Sequence, residues 1–596
     1  MDLSTIEGAT ATVEEVERLR RQWIRDPSQP FRILLPNQAQ GIVFWAGLCR
    51  DIQPYDRTEG DNDPIVVFSQ FYIDSDDARA EEIKRSLVLV ANNKSISRVY
   101  LINERIYTAE EMGFDTLEDS LIFDEKIVQV DHGSRMTYKA VFDYVDTNKI
   151  EGHIVICNSD IFFDQTVDNV RRLGMKEDAR ALCLLRYEYD GEDKLKNCEL
   201  FGPRADSQDT WVIHSSHIPK DSLRKPFDMA LGIPGCDNKM TYLLQISGIE
   251  CFNIPEHVRT YHYHRSEKRN YDSTTKRVAM PWVSLVPNVP GENNECVAHS
   301  YNLQYENDRL HDYVSQKLME NKPFIIPRIA GVENNVALSS VIIGQGGMCE
   351  EDFWRDSAPR LRKIMKNNAG IRLDTMSDIH AYANLYLQAF HRCEMYFDWE
   401  PWGNVYPGIR DSHEFITNNF TQERVWSLAL DVFHNVNRRP WTLSLRGKRL
   451  LIISTFADSI KEKIDILPKL YGVDLFPECT FTFLKPPQTQ GDNDSKPFKE
   501  ELGLFGSKIA DIKNTFDVAL VACGGYGNPL LGMLHNMEVS AIYIGGVLQM
   551  YFGVYGTRWL RERPDIMRLY LNKHWSRPKS DEKPKGHEKV ESSCYW

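Results

Sequence analysis

The sequence has no CxxC pair and no regular cysteine spacing; its 12 cysteines are scattered, and several, such as Cys157 and Cys183, sit inside apolar runs. That speaks against a disulfide scaffold or a zinc ribbon and fits buried free thiols in a reducing compartment. No apolar run reaches the ~18 residues of a membrane-spanning helix. No basic region followed by an apolar stretch opens the chain, so no secretion signal is expected and the cytoplasm is the expected location. Basic residues are not in excess either. The net charge is −14, a field that repels phosphate backbones and argues against a dedicated nucleic-acid binder. A small nucleotide ligand is still allowed, because a metal ion and one or two arginines can neutralise its diphosphate locally. There is no internal repeat and no low-complexity tract before the tail. Nothing in the sequence sets the oligomeric state.

What is present is ample core material. The 596 residues are 42% hydrophobic and 11% aromatic, too long for one core and rich enough for several. Residues 1–59 read as a cap, with helical spacing over Thr12 to Arg25 and an extended stretch over Pro30 to Leu35. After Pro64 an α/β region begins. Ile65-Val-Val-Phe-Ser-Gln-Phe-Tyr72, Arg98 to Asn103, Lys126 to Val130 and Ile154 to Cys157 are apolar runs of strand length. Amphipathic segments at Ala78 to Asn92 and Thr137 to Val145 separate them. Such alternation predicts a parallel sheet covered on both faces. Arg180 to Leu185 and Trp211 to His214 are further strands. The polar, proline-containing stretch 265–300 predicts an exit from this domain.

A second α/β region follows, with strands expected at Phe324 to Ile326, Ser340 to Ile343, Arg449 to Ile453, Asp517 to Ala522 and Ser540 to Ile544. A helix is expected at Ser377 to Arg392, with Ile379, Tyr382, Ala383, Tyr386 and Phe390 on one face. The fold class is therefore α/β, with two Rossmann-like domains at 60–300 and 301–575. The charged tail, 576–596, is expected to be disordered.

Four features of the first half could carry chemistry. The strand ending at Cys157 runs into Asn158-Ser159-Asp160, and ligands bind outside the carboxyl ends of strands in an open parallel sheet. A carboxylate there can hold Mg²⁺ or Mn²⁺; the bland alternative is an Asx turn. Gly232-Ile-Pro-Gly-Cys-Asp237 is a turn that puts Asp237 at a helix N-terminus, as an N-cap or as a general base. Tyr261-His-Tyr-His264 alternates, so His262 and His264 share a face, for a metal or as a packed surface strand. Arg135 opens a helix after a strand and could pair with a diphosphate, or could be one more surface arginine.

In this order the features resemble a glycosyltransferase domain of the GT-A fold, over residues 64–275. Phe68-Ser-Gln-Phe-Tyr72 is similar to its nucleotide-binding first strand, so Gln70 and Tyr72 are implied donor contacts. Asn158-Ser159-Asp160 resembles the DxD motif with Asn in the first place. Gly235-Cys-Asp237 resembles the acidic motif supplying the base in inverting members. His262 or His264 falls where a metal-binding histidine often lies. Ser207-Gln-Asp209-Thr-Trp211 looks like the acceptor-side loop, with Asp209 and Trp211 facing the acceptor. The resemblance implies that Asp160 and the histidines hold Mn²⁺ or Mg²⁺. It implies that Arg135 and the metal stabilise the leaving diphosphate. It also implies that Asp237 deprotonates the acceptor hydroxyl of a glycan, with inversion.

In the second half, Phe516 to Gly527 and Ala541 to Gly546 are strands that each end in paired glycines, Gly524-Gly525 and Gly545-Gly546. Such turns bring N–H groups near a phosphate or sugar, or simply allow tight packing. Arg558 and Trp559 lie just beyond. Residues 320–575 are similar to GT-D glycosyltransferases, with Lys322 to Glu333 resembling that family's opening strand, including Arg328 and the acidic motif. Glu333 is kept, but Gly331 stands where the family has Asp. The expectation is a bifunctional glycosyltransferase using nucleotide-sugar donors. The alternatives are one active transferase joined to a carbohydrate-binding or scaffold domain, and a metal-dependent nucleotidyltransferase.

Overall fold

Ile65, Val67, Phe68 and Ile154 to Ile156 are almost wholly inaccessible to solvent, as expected for central strands buried on both faces. They belong to a computed structural model that describes residues 32–34, 43–45, 60–192, 194–202, 206–265, 277–279, 281–283, 285, 287, 303–399 and 407–596. The helix expected at Thr12 to Arg25 and most of 265–300 lie outside the described residues. Within the expected cap, Arg32–Leu34 pairs antiparallel with Val43–Trp45. The chain divides into two compact units, Met1–Tyr305 and Glu306–Trp596.

In the first unit a seven-stranded sheet runs in the order Glu250–Phe252, Arg180–Leu184, Thr210–His214, His153–Cys157, Ile65–Ser69, Ile96–Asn103, Ile127–Asp131. Six strands share one direction. Thr210–His214 is antiparallel to both neighbours, a departure from the all-parallel expectation. Helices Asp77–Asn92, Leu117–Lys126, Tyr138–Thr147 and Cys236–Ile246 accompany the sheet. Asp76, Thr116 and Thr137 cap the first three by accepting backbone N–H bonds. A small second sheet, Ile161–Phe163, Thr260–Tyr263 and Tyr187–Tyr189, sets His262 opposite Glu188.

The second unit has a five-stranded, all-parallel sheet ordered Ile325–Ile326, Ser540–Tyr543, Val518–Ala522, Arg449–Ser454, Thr480–Leu484. A parallel pair, Met395–Asp398 with Glu423–Trp426, meets its edge through the bridge between Arg328 and Phe397. The helix Met376–Arg392 starts at a Thr375–Asp378 capping box and buries Ile379, Tyr382, Ala383, Tyr386 and Phe390. Ser340 to Ile343 is not a strand but the end of the helix Gly331–Gly344, with Val336, Ala337 and Ser340 on its buried side. Four apolar residues are too few to separate the two periods.

The tail is not disordered. Glu582, 1% exposed, accepts hydrogen bonds from the backbone of Asp458 (3.0 Å) and Ser459 (3.2 Å). Trp596 packs edge-on against Phe456. Two of the tail's lysines are paired, Lys579 with Glu462 (2.6 Å) and Lys589 with Asp492 (2.7 Å), so a polar composition coexists with order. All cysteines among the described residues are free. No helix among the described residues is long and apolar enough to cross a membrane.

Candidate active site

The parallel strands Ile65–Ser69 and His153–Cys157 end together, and the Ser69 hydroxyl donates to the Cys157 carbonyl (3.2 Å). Beyond them Asp160 is buried, at 5% exposure. Its Oδ2 receives Arg79 Nη2 at 2.5 Å and His262 Nε2 at 3.1 Å, while its Oδ1 is buried without a hydrogen-bond partner. His262 Nδ1 in turn lies 2.9 Å from Glu188 Oε2. Arg186 donates through Nε to Glu188 (2.9 Å) and through Nη1 to Asp209 (2.5 Å). Asn158 Nδ2 donates to the other oxygen of Asp209 (2.9 Å), closing a chain of alternating charges.

Burial opposes charge on both members of the central pair, and their mutual attraction overcomes it. Asp160 is held well below the ordinary carboxylate range by His262 and Arg79. His262 is lifted to about 9 by the Asp160 and Glu188 carboxylates. Burial likewise pushes Glu188 up, and His262 and Arg186 bring it down to about 2. His262 therefore serves as a cationic bridge between two carboxylates. Its ring stacks on His264 at 5.0 Å. The expected metal trio of Asp160, His262 and His264 is thus not assembled as a shared ligand set: both nitrogens of His262 face carboxylates. No group of three or more His, Cys, Asp or Glu side chains able to hold a metal occurs among the described residues. Of the carboxylate oxygens in this group, Asp160 Oδ1 is the one buried without a hydrogen-bond partner.

A second cluster lies across the same sheet edge. Gln70 accepts from the Met136 backbone (3.1 Å), tying the first strand to the Arg135 loop. Arg135 reaches Gly232, where an added Cβ would meet its guanidinium. Gly235 (φ 84°) is the N-cap of Cys236–Ile246, so Asp237 sits inside the first turn and is not the cap. Burial raises the Asp237 carboxyl to about 6, and the charge of Asp209 adds to this against backbone N–H bonds that lower it. Trp282 lies over the Gly235 turn. Asp209 thus stands between Asn158 and Asp237.

Not every expected residue faces this edge. Trp211, assigned to the acceptor side, is 1% exposed and packs edge-on against Tyr138 (5.1 Å). Its strand has neighbours on both sides and is buried throughout. Tyr72 lies near Arg79, and Ser159 lines a small cavity with Gln70. Arg79, Arg186, Glu188 and Trp282 escape the sequence reading. The alternation Arg186-Tyr-Glu188 carried the same one-face signal as His262-Tyr-His264.

In the second unit, Glu333 is buried and pushed up to about 7, chiefly by burial, with a contribution from the Glu591 charge. Arg328 Nη1 donates to the Ile544 carbonyl (3.2 Å). The carbonyls of Gly524 and Gly525 accept from Tyr543 (2.8 Å) and Tyr382 (2.7 Å), and Gly525 lies against Ala369 and Ile371. This glycine pair serves packing. Gly545 lies against the Arg328 guanidinium and Gly546 against Tyr595.

No family model and no curated protein matches the chain. Solved structures that match part of the chain include the following three. A mannosyltransferase from Pyrobaculum calidifontis, in complex with GDP-Man and Mn²⁺, is 10% identical with a TM-score of 0.25, over 45% of this chain and 66% of that one. GalNAc-T7 with UDP, GalNAc and Mn²⁺ is 10% identical with a TM-score of 0.25, over 37% and 46%. The domain of unknown function 1792, described as having a distinct glycosyltransferase fold, is 12% identical with a TM-score of 0.23, over 48% and 98%. The chain spans less than two thirds of the first two.

Proposed function

We propose that the first unit transfers a sugar from a nucleotide-sugar donor to a hydroxyl of a glycan acceptor, with inversion at the transferred carbon. The observation that carries this reading is the Asp237 carboxyl. It is raised to about 6 at a glycine turn, beside Asp209 and across the sheet edge from Asn158-Ser159-Asp160. A base poised near the working pH removes a hydroxyl proton efficiently. Arg135, at the lip of the same turn, meets the diphosphate. Trp282 offers an apolar face for a sugar ring. Asp209, held by Arg186 and Asn158, keeps Asp237 from losing its proton too readily.

Mn²⁺ or Mg²⁺ belongs to this reading. The unpartnered Asp160 Oδ1 fits one ligand position of a hard cation that draws the rest of its shell from phosphate and water. Bound there, the ion would neutralise charge developing on the leaving diphosphate. Arg79 and His262 hold the Asp160 carboxylate through its other oxygen, Oδ2.

The second unit is read as a further sugar-handling unit, with Glu333 as its acid–base candidate. The test is turnover of a panel of nucleotide sugars with Mn²⁺, with and without acceptor glycans. Release of nucleoside diphosphate by wild type, lost in Asp160→Ala and Asp237→Ala, supports transfer. Release of sugar 1-phosphate instead, by transfer of the nucleoside monophosphate, supports a nucleotidyltransferase and overturns the reading.

A further inference from the structure

Gly546 and Gly556 expose bare backbone in the second unit, and the segment Glu591–Trp596 lies on it. A Cβ on Gly546 would collide with the Tyr595 ring, and one on Gly556 with the Tyr595 backbone. Arg558 Nη1 donates to the Tyr595 hydroxyl at 3.0 Å, its guanidinium lies 5.7 Å from that ring's centre, and Nη1 is 3.7 Å from the Glu591 carboxylate. The surface meets the segment's carbonyls with donors only. Arg558 N reaches Cys594 O (2.7 Å), Gln549 Nε2 reaches Tyr595 O (3.3 Å), and Thr557 N, Thr557 Oγ1 and Arg577 Nη1 reach Trp596 O (3.1, 2.9 and 2.7 Å).

The segment takes this position against local cost. Glu591, Ser592 and Ser593 are three successive non-glycine residues in the left-handed region, with φ of 44°, 55° and 61°. Such backbone is unfavourable and persists only where surrounding contacts impose it. Glu591 also adds negative charge near the buried Glu333. The segment thus presents a flat ring, a carboxylate and a row of acceptors to a glycine shelf, an arginine and a row of donors.

We propose that this shelf is a binding site for a nucleoside diphosphate, and that Glu591–Trp596 is its internal occupant. The base takes the place of the Tyr595 ring on Gly546 and Gly556, and the phosphates take the place of the Glu591 carboxylate and the chain carbonyls at Arg558, Thr557 and Arg577. The strained turn at Ser592 makes the segment a displaceable competitor. This rests on the reading of the second unit as a sugar-handling unit and is independent of the first unit's site.

The test is calorimetric titration of the full chain with UDP and, separately, GDP. Wild type is compared with a variant lacking residues 591–596, with Tyr595→Ala and with Ser592→Gly. Releasing the occupant raises apparent affinity by the inverse of the open fraction, so both release variants gain one equivalent of bound nucleotide, at least about tenfold tighter than any second-site binding in wild type. Ser592→Gly relieves the strained φ, tightens the occupant and weakens that binding. Gly546→Val, added to the deletion, abolishes the gained equivalent. If the deletion does not fold, Tyr595→Ala decides. The proposal is overturned if the folded release variants titrate as wild type, or if the gained equivalent survives Gly546→Val. Failure of the first-unit reading shows separately, as loss of the equivalent bound by wild type.

Discussion

Replacing Asp237 by Asn separates stability from activity in a way that tests the site directly. The carboxyl is held at about 6 against an ordinary 3.8. Between those values the folded chain keeps a proton that the unfolded chain has released. Stability therefore falls as pH rises through this window. At neutral pH the limit of that destabilisation is roughly 3 kcal/mol, and partial solvent access brings it to about 1–2 kcal/mol. Asn carries no charge and escapes the penalty. Asp237→Asn should therefore raise the melting temperature of the first unit by about 2–6 °C at pH 7.5, with the gain shrinking towards zero near pH 4. Transfer should fall by about 10²–10⁴-fold, as expected for loss of a general base. The wild-type rate should drop as pH falls through about 6. Differential scanning calorimetry across pH 4–8, with product release measured over the same range, reads both effects. A variant that is destabilised at pH 7.5, or that retains full transfer, refutes the assignment.

Further predictions concern other parts of the molecule. His262→Ala removes the bridge between the buried Asp160 and the half-buried Glu188 and should destabilise the first unit by about 1–3 kcal/mol in chemical denaturation, because each carboxylate loses one partner while Arg79 and Arg186 remain. Trp211→Ala should cost about 3–5 kcal/mol as a core cavity; in the protein that remains folded, KM for acceptor should not change. Glu333→Gln should stabilise the second unit at pH 8 and lose that advantage as pH falls towards 4, because burial raises the carboxyl to about 7. Urea titrations at the two pH values check this.

The sheets were legible where apolar runs were long. His153 to Cys157 and Val518 to Ala522 emerge within a residue of their expected bounds, and Ile65 to Ser69 ends three residues before the expected Tyr72, because a strand buried on both faces is continuous in sequence. Short elements were not legible: Ile161–Phe163, Tyr187–Tyr189 and Glu250–Phe252 are three residues each, held by pairing and not by pattern. The direction of Thr210–His214 was also hidden, since an apolar run does not reveal its polarity. At the site, Asp160 and His262 were expected to share a metal, but their direct contact was not foreseen. A hydrogen bond between residues 102 positions apart depends on the register of the small second sheet. The tail misled because its anchors, Glu582 and Trp596, are single residues within a solvent-like composition.

The reversed strand has a consequence for how this site can diversify. Because Thr210–His214 runs against its neighbours, it is the start of that strand, not its end, that reaches the edge where the others finish. Asp209 is fixed there by backbone bonds on both sides, from its own N–H to Leu184 O and from Asn158 N–H to its carbonyl (both 3.2 Å). Just before it, Gln208 is buried and accepts from Asn238 (3.3 Å), and Ser207 accepts from Arg186 (3.2 Å). Asp209 is thus clamped at the strand start beside Asp237, so under the proposed transfer reaction its neighbours can be exchanged and acceptor preference can drift while the residue that tunes the base stays in place.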